Sequence, residues 1–170
     1  MCLGTVGEMK RSGAVVELFK ALKGSGVETC YIGGAGMWGG YESTKRDLAL
    51  HREIESVADI FIENATQQKT AEMLNTSSYY AHVSHHDVSS IGCQENMSAG
   101  NVVFGLLHPI LAERTPYRFN NVQDLATAIA DYPFQSEQHE MDVSKMTSKS
   151  NEWSYQSWIE QIDSILRIIT

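Results

Sequence analysis

Short apolar runs and helical stretches take turns along this chain. Leu3 to Val6 is a brief apolar run, and a helix follows with Val15, Leu18, Phe19 and Leu22 on one face. Gly24 and Gly26 stop that helix, and Val27 to Ile32 reads as the next strand. The charged segment from Glu42 to Glu55 has helical character, with Leu48 and Ile54 expected to face inward. Ala58 to Ile62, Ser78 to Val83 and Val102 to Leu106 are further strands, and Tyr117 to Phe119 is a short last one. Gln67 to Leu74, Gly92 to Ala99 and Val122 to Ala130 are the helices between and after them. Strands alternating with helices predict a parallel sheet covered on both faces. The expected fold class is therefore α/β, a Rossmann-like three-layer domain. The polar stretch from Asp131 to Asn151 shows little periodicity and predicts a surface excursion. Trp158, Ile162, Ile165 and Ile169 fall on helical spacing, so a terminal docking helix is expected at about 154–169.

A length of 170 residues fits a single domain over 1–170. The 21 acidic against 13 basic side chains leave a net charge of −8. That balance argues against a general nucleic-acid binder, whose affinity rests on cations neutralising phosphates. No apolar run reaches 18 residues, so no transmembrane segment is expected. The opening Met1-Cys2-Leu3-Gly4-Thr5 lacks the basic and apolar regions of a signal peptide. Cys2, Cys30 and Cys93 are odd in number and far apart, which offers neither a disulfide framework nor a zinc spacing. A reducing cytoplasm is the expected compartment.

Four groups of residues carry possible chemistry. Gly34-Ala35-Gly36-Met37-Trp38-Gly39 matches the G-x-G-x-x-G dinucleotide pattern. The acid that closes the next strand, Glu63, lies 29 residues past Gly34 instead of the usual 20 or so, and a whole β-α unit precedes the glycines. A strand-to-loop turn accounts for them as well. His85 and His86 are adjacent, point to opposite sides of an extended chain and make poor joint ligands, so no metal is expected. Asp87 and Glu95 bracket a loop that leaves a strand and enters a helix. Free N–H groups at a helix start favour an anion, and a carboxylate one turn inside can accept hydrogen bonds from a diol. The bland alternative is a helix cap and a solvated acid. Lys10 and Arg11 stand at the start of the first helix, where cations oppose the helix dipole, a cost that an anionic partner would remove.

In order and spacing these segments resemble the C-terminal, nucleotide-sugar-binding half of a GT-B-fold retaining glycosyltransferase of the group 1 type. Leu3 to Arg11 is similar to that family's V-G-R-L-x-x-x-K-G loop, and Cys30 to Gly34 to its second strand ending I-G-x-G. Ser84 to Glu95 is similar to S-x-x-E followed by seven residues and E, and Glu95 to Val103 to E-A-M-A-x-G-x-P-V. Tyr117-Arg118-Phe119 with Asp124-Leu125-Ala126, and Ser157-Trp158 near the end, complete the set.

The resemblance implies a role for each matching residue. Lys10 would neutralise the donor diphosphate, Asp87 would contact the transferred sugar and Glu95 would bind the ribose hydroxyls. Ser89, Ser90, Ile91 and Gly92 would present N–H groups to the diphosphate. Thr5 stands where the family has a diphosphate-binding arginine, and Arg11 is a candidate substitute. Asp87 is one methylene shorter than the family's glutamate, and Val102 replaces a proline. Base contacts are expected around Ile62-Glu63-Asn64. Neither a metal nor another cofactor is implied. The partners implied are a nucleoside-diphosphate sugar and the acceptor-binding N-terminal half, which this chain is expected to lack. Two other readings stay open: a non-catalytic binding module on the same fold, and a dinucleotide- or flavin-binding α/β protein.

Overall fold

Six strands and six helices appear in the computed structural model, which describes residues 1–4, 6–7, 10–34, 45–84, 91–108, 111 and 114–152. The order is β1 (Cys2–Leu3), α1 (Ser12–Leu22), β2 (Cys30–Gly33), α2 (Lys45–Val57), β3 (Ile60–Glu63), α3 (Gln67–Thr76), β4 (Tyr79–His82), α4 (Ile91–Ser98), β5 (Val102–Leu106), β6 (Arg118–Phe119), α5 (Val122–Ala130) and α6 (Glu137–Glu152). All strand pairs are parallel, in two runs, β1-β2-β3 and β4-β5-β6. Two hydrogen bonds join the runs: Met1 N donates to Tyr79 O (2.8 Å), and Ala81 N to Met1 O (2.9 Å). The strands therefore lie in the order 3-2-1-4-5-6, and the direction of winding reverses between β1 and β4.

Right-handed crossovers then put α1 and α2 on one face of the sheet and α4 on the other. The helix contacts sort the same way, α1 packing on α2 and α5, and α4 on α6. In α1 the expected stripe Val15, Leu18, Phe19 and Leu22 is buried. Gly24 (φ 83°) and Gly26 (φ 85°) supply the left-handed turns that end it. Two N-caps are explicit. Thr66 accepts from Lys69 N (3.2 Å), and Asn121 accepts from Asp124 N (2.8 Å). β5, the central strand of its run, is buried at every position, as a parallel strand covered on both faces should be.

Three expectations need correction. The strand expected from Val27 begins only at Cys30, because Thr29 is engaged with Asp59: the Asp59 carboxylate accepts from Thr29 N and Oγ1, both at 2.7 Å. Those two hydrogen bonds hold the Asp59 carboxyl below the usual carboxylate range. In α2, Ile54 is fully buried but Leu48 is 43% exposed. The largest correction concerns the expected excursion after Asp131, which contains a 16-residue helix, α6. Its inward residues are Asp142, Met146 and Ser150, one every four positions. A buried stripe that is two-thirds polar leaves no apolar periodicity to read. The terminal helix expected at 154–169 lies outside the described residues. Among the described residues, no helix is long and apolar enough to cross a membrane.

Candidate nucleotide-sugar site

The loops that leave β1 and β2 are zipped together at the carboxyl edge of the sheet. Gly4 N donates to Ile32 O and Val6 N to Gly34 O, each at 3.0 Å. The buried Tyr31 hydroxyl donates to Gly4 O (2.8 Å), and burial pushes that phenol above its ordinary value. Gly4 O lies so close over Gly33 that a Cβ there would collide with it, so glycine is required. Farther along, Ser12 Oγ accepts from Gly7 N (2.8 Å) and donates to Gly7 O (3.1 Å). This reciprocal pair closes the loop that carries Lys10 and Arg11. Arg11 is the residue before α1 and has left-handed backbone geometry (φ 52°, ψ 45°) with no side-chain cap.

Lys10 lines a small cavity of about 20 Å³ together with Leu3, Tyr80, His82 and Ser84. The cavity lies between the ends of β1 and β4, where the strand order reverses. Ligands of open α/β sheets bind at that point, outside the carboxyl ends of the strands. The start of α4 reaches the same place. A Cβ on Gly92 would stand 3.1 Å from the Tyr80 hydroxyl and 3.3 Å from Leu3 Cδ1, two residues that also line the Lys10 cavity. Ile91, the first residue of α4, is 65% exposed. The structure thus brings Lys10 and the N-terminal turn of α4 onto common neighbours.

Glu95 sits elsewhere. Its side chain lines a groove of about 510 Å³ among α3, α4 and the end of α6, with Leu74, Asn75, Ser98 and Ser150. Partial burial against those walls raises its carboxyl above the usual value. Glu95 lies four residues into α4, about 6 Å along the helix from its start. Behind it, Asn96 Nδ2 donates to Gly92 O (2.7 Å), and Asn101 Nδ2 donates to Leu74 O and Asn96 Oδ1, both at 3.0 Å. These buried amides fix α4 against α3. Thr5, Asp87, Ser89 and Ser90 lie outside the described residues, as do His85, His86 and positions 35–40 of the glycine run.

In the loop after β3, Asn64 has left-handed backbone geometry (φ 51°), and its amide oxygen packs against Gly34. At the end of β3, Glu63 Oε1 lies 3.2 Å from His51 Nε2 of α2. Residues that sequence reasoning missed are Ser12, Tyr31 and Tyr80. Ser12 carried a signal, a hydroxyl at the start of a helix after a glycine loop. The two tyrosines carried none beyond their place in strands.

No protein-family model matches the sequence, and no curated protein sequence matches it either. Solved structures do match. A trehalose-6-phosphate structure from E. coli bound with UDP-2-fluoro glucose superposes with a TM-score of 0.74 at 12% identity, over 98% of this chain and 44% of that one. Anabaena Alr3699/HepE in complex with UDP-glucose superposes at 0.71 and 15% identity, over 98% of this chain and 48% of that one. This chain has the fold of the C-terminal half of a GT-B glycosyltransferase. It spans less than half the length of both of those matches. The catalytic domain of cholesterol-alpha-glucosyltransferase from Helicobacter pylori also superposes, at 0.63 and 18% identity, over 91% of this chain and 99% of that one. In this chain, the β1–β4 crevice is the place that joins Lys10 to α4.

Proposed function

We propose that this chain is the donor-binding half of a retaining glycosyltransferase, binding a nucleoside-diphosphate sugar while a second Rossmann-like half binds the acceptor. The observation that carries this reading is the convergence of Lys10 and the N-terminal turn of α4 at the switch point between β1 and β4. Matching solved structures hold UDP-2-fluoro glucose and UDP-glucose, which supports a uridine nucleotide as the first donor to try.

In this reading the diphosphate lies across the start of α4. Lys10 neutralises it, and the N–H groups of Ile91 and Gly92, with Ser89 and Ser90 before them, point at it. Arg11, in the loop held by Ser12, adds the cation that Thr5 cannot supply. Glu95, about 6 Å along α4 in the groove that Ile91 also lines, accepts the two ribose hydroxyls. Asp87 contacts the transferred sugar. During transfer, negative charge grows on the departing diphosphate, and preorganised donors aimed there lower the barrier. Thr5 and Asp87 favour a second reading, in which the donor is held but not turned over.

The test is a thermal-shift and calorimetric screen of UDP, GDP and ADP, their sugars, NAD and FMN. The expected result is stabilisation by one nucleoside diphosphate, as mass action requires of a ligand that binds only the folded state. Lys10→Ala should weaken binding about tenfold or more by removing a charge-assisted contact. Glu95→Ala should weaken the nucleotide but leave inorganic pyrophosphate unaffected. Binding of NAD or FMN instead, or no nucleotide binding in the wild type, sinks the proposal.

A further inference from the structure

Beside β6, at the edge of the sheet, lies a groove of about 770 Å³, within the range of small-molecule sites. One wall comes from Arg114, Thr115, Pro116 and Arg118; the other is the face of α6 between Asp142 and Glu152. Neither Lys10 nor Glu95 lines it, and the donor-site proposal does not use it.

Its charge runs against that of the chain. The net charge is −8, and residues 114–152 hold six acids and four bases. All four bases, Arg114, Arg118, Lys145 and Lys149, line the groove, with two of those acids. Both acids are engaged. Glu152 pairs with Lys149 at 2.8 Å. The Asp142 carboxylate accepts from Tyr132 Oη (2.7 Å), Gln138 Nε2 (3.0 Å) and the Tyr117 hydroxyl. Lys145 acts on it through space, after Gln138 and the two tyrosines in strength. Arg114 is buried and has contacts of its own. Arg118 and Lys145 are both exposed, and among the described residues no carboxylate stands within 4.0 Å of either. A helix C-terminus accounts for lysines late in α6, but Arg118 sits in a strand and complements no helix end. The edge is also closed to a further strand. Pro116 has no N–H, and its carbonyl accepts from Arg118 N (3.0 Å). Recognition at this groove is therefore by side chains.

We infer that this groove binds a phosphate monoester, a compact anion with a charge of about −2 at neutral pH. Arg118 offers its planar fork to two phosphate oxygens and Lys145 supplies the second positive charge. Ser144 and Ser148, four residues apart on the same side of α6, add hydroxyl donors. A dianion matches two cations that lack a carboxylate; a monoanion leaves one of them unmatched. The concave shape suits a small ester or a single headgroup, whereas a flat bilayer surface would touch only its rim.

Phenyl phosphate, phenyl sulfate and phenol test this by titration calorimetry, since they share one body and differ in charge. Phenyl phosphate should bind about fivefold or more tightly than phenyl sulfate, and phenol should bind least. Arg118→Gln should weaken phenyl phosphate about tenfold and Lys145→Gln about fivefold, both at exposed positions and with the melting temperature preserved. Lys10→Ala should leave phenyl phosphate unaffected, which separates this groove from the donor site. Sedimentation with phosphatidylcholine vesicles, with and without phosphatidic acid, distinguishes the source of the ester. Binding that requires phosphatidic acid, and is lost in Arg118→Gln, makes the ester a lipid headgroup; binding of phenyl phosphate without sedimentation makes it a soluble molecule. Equal affinity for phosphate and sulfate, no binding of phenyl phosphate, insensitivity to Arg118→Gln, or loss of binding in Lys10→Ala would each overturn the inference. So would sedimentation with phosphatidylserine vesicles as strong as with phosphatidic acid, the mark of a general anionic surface. None of these outcomes depends on whether a nucleotide binds.

Discussion

The two helical layers that cover the sheet are held in different ways. Under α1 and α5 the contact is apolar: Leu18, Phe19 and Leu22 of one helix, and Leu125, Ala126 and Ile129 of the other, are buried in the core. Under α4 and α6 the apolar contact of Cys93, Met97 and Met146 is joined by hydrogen bonds. Thr147 Oγ1 donates to Met97 O (3.2 Å), Ser150 Oγ donates to Gln94 O (3.2 Å), and the Ser98 and Ser150 hydroxyls meet. Asp142 gathers three donors, the hydroxyls of Tyr117 and Tyr132 and the amide of Gln138. An apolar layer is non-directional and sensitive to volume. A hydrogen-bonded layer is directional, sensitive to pH, and costly to leave half satisfied. The second layer carries α4, and so both the helix start and the Glu95 of the proposed donor site.

The largest effect expected from breaking the first layer is that of Leu18→Ala. Leu18 is fully buried in α1, so truncation should cost about 2–5 kcal/mol by lost transfer energy and cavity formation. Urea unfolding should show that loss undiminished at acid pH. A cost below about 1 kcal/mol would mean that the first layer is not sealed by packing.

A smaller and pH-dependent effect is expected from Asp142→Asn. Burial alone would push the Asp142 carboxyl up, but hydrogen bonds from Gln138, Tyr117 and Tyr132 outweigh it and hold the carboxyl below its ordinary value. A depressed folded-state value means that ionised Asp142 stabilises the protein above the unfolded-state value, and that this contribution is lost as pH falls through the folded one. The substitution should cost about 1–3 kcal/mol at pH 7. The gap from wild type should narrow as acid protonates Asp142 in the wild type. Identical pH profiles for the two proteins would remove Asp142 from its place as the charged hub.

The same contrast explains what the sequence revealed. α1 and α5 were legible because their buried residues are apolar and recur at helical spacing; Val122–Ala130 was expected and found with the same limits. Parallel strands β4 and β5 were legible as apolar runs. α6 was not, because Asp142 and Ser150 are buried polar residues whose partners, Tyr117 and Gln94, lie 25 and 56 positions away. Hydropathy cannot register such a contact. In the candidate site, Lys10 and Gly92 could be placed by the order of loops along the chain. The side of α4 on which Glu95 faces depends on the packing of α3 and α6, which the sequence did not disclose.

The smallest effect, and the one that ties the second layer to the proposed donor site, is that of Ser150→Ala. The hydroxyl is the one group by which α6 reaches both Gln94 O and Ser98 Oγ, on either side of Glu95. Its loss should cost about 1 kcal/mol, the net worth of a typical hydrogen bond. The cavity term is minimal, since only one oxygen is removed. If α6 positions Glu95, nucleotide affinity should fall several-fold while affinity for inorganic pyrophosphate, held at Lys10 and the start of α4, stays the same. A fall in both would mean that α6 acts on the whole of α4; no change in either would leave Glu95 positioned by α3 alone, through Asn101 and Asn96.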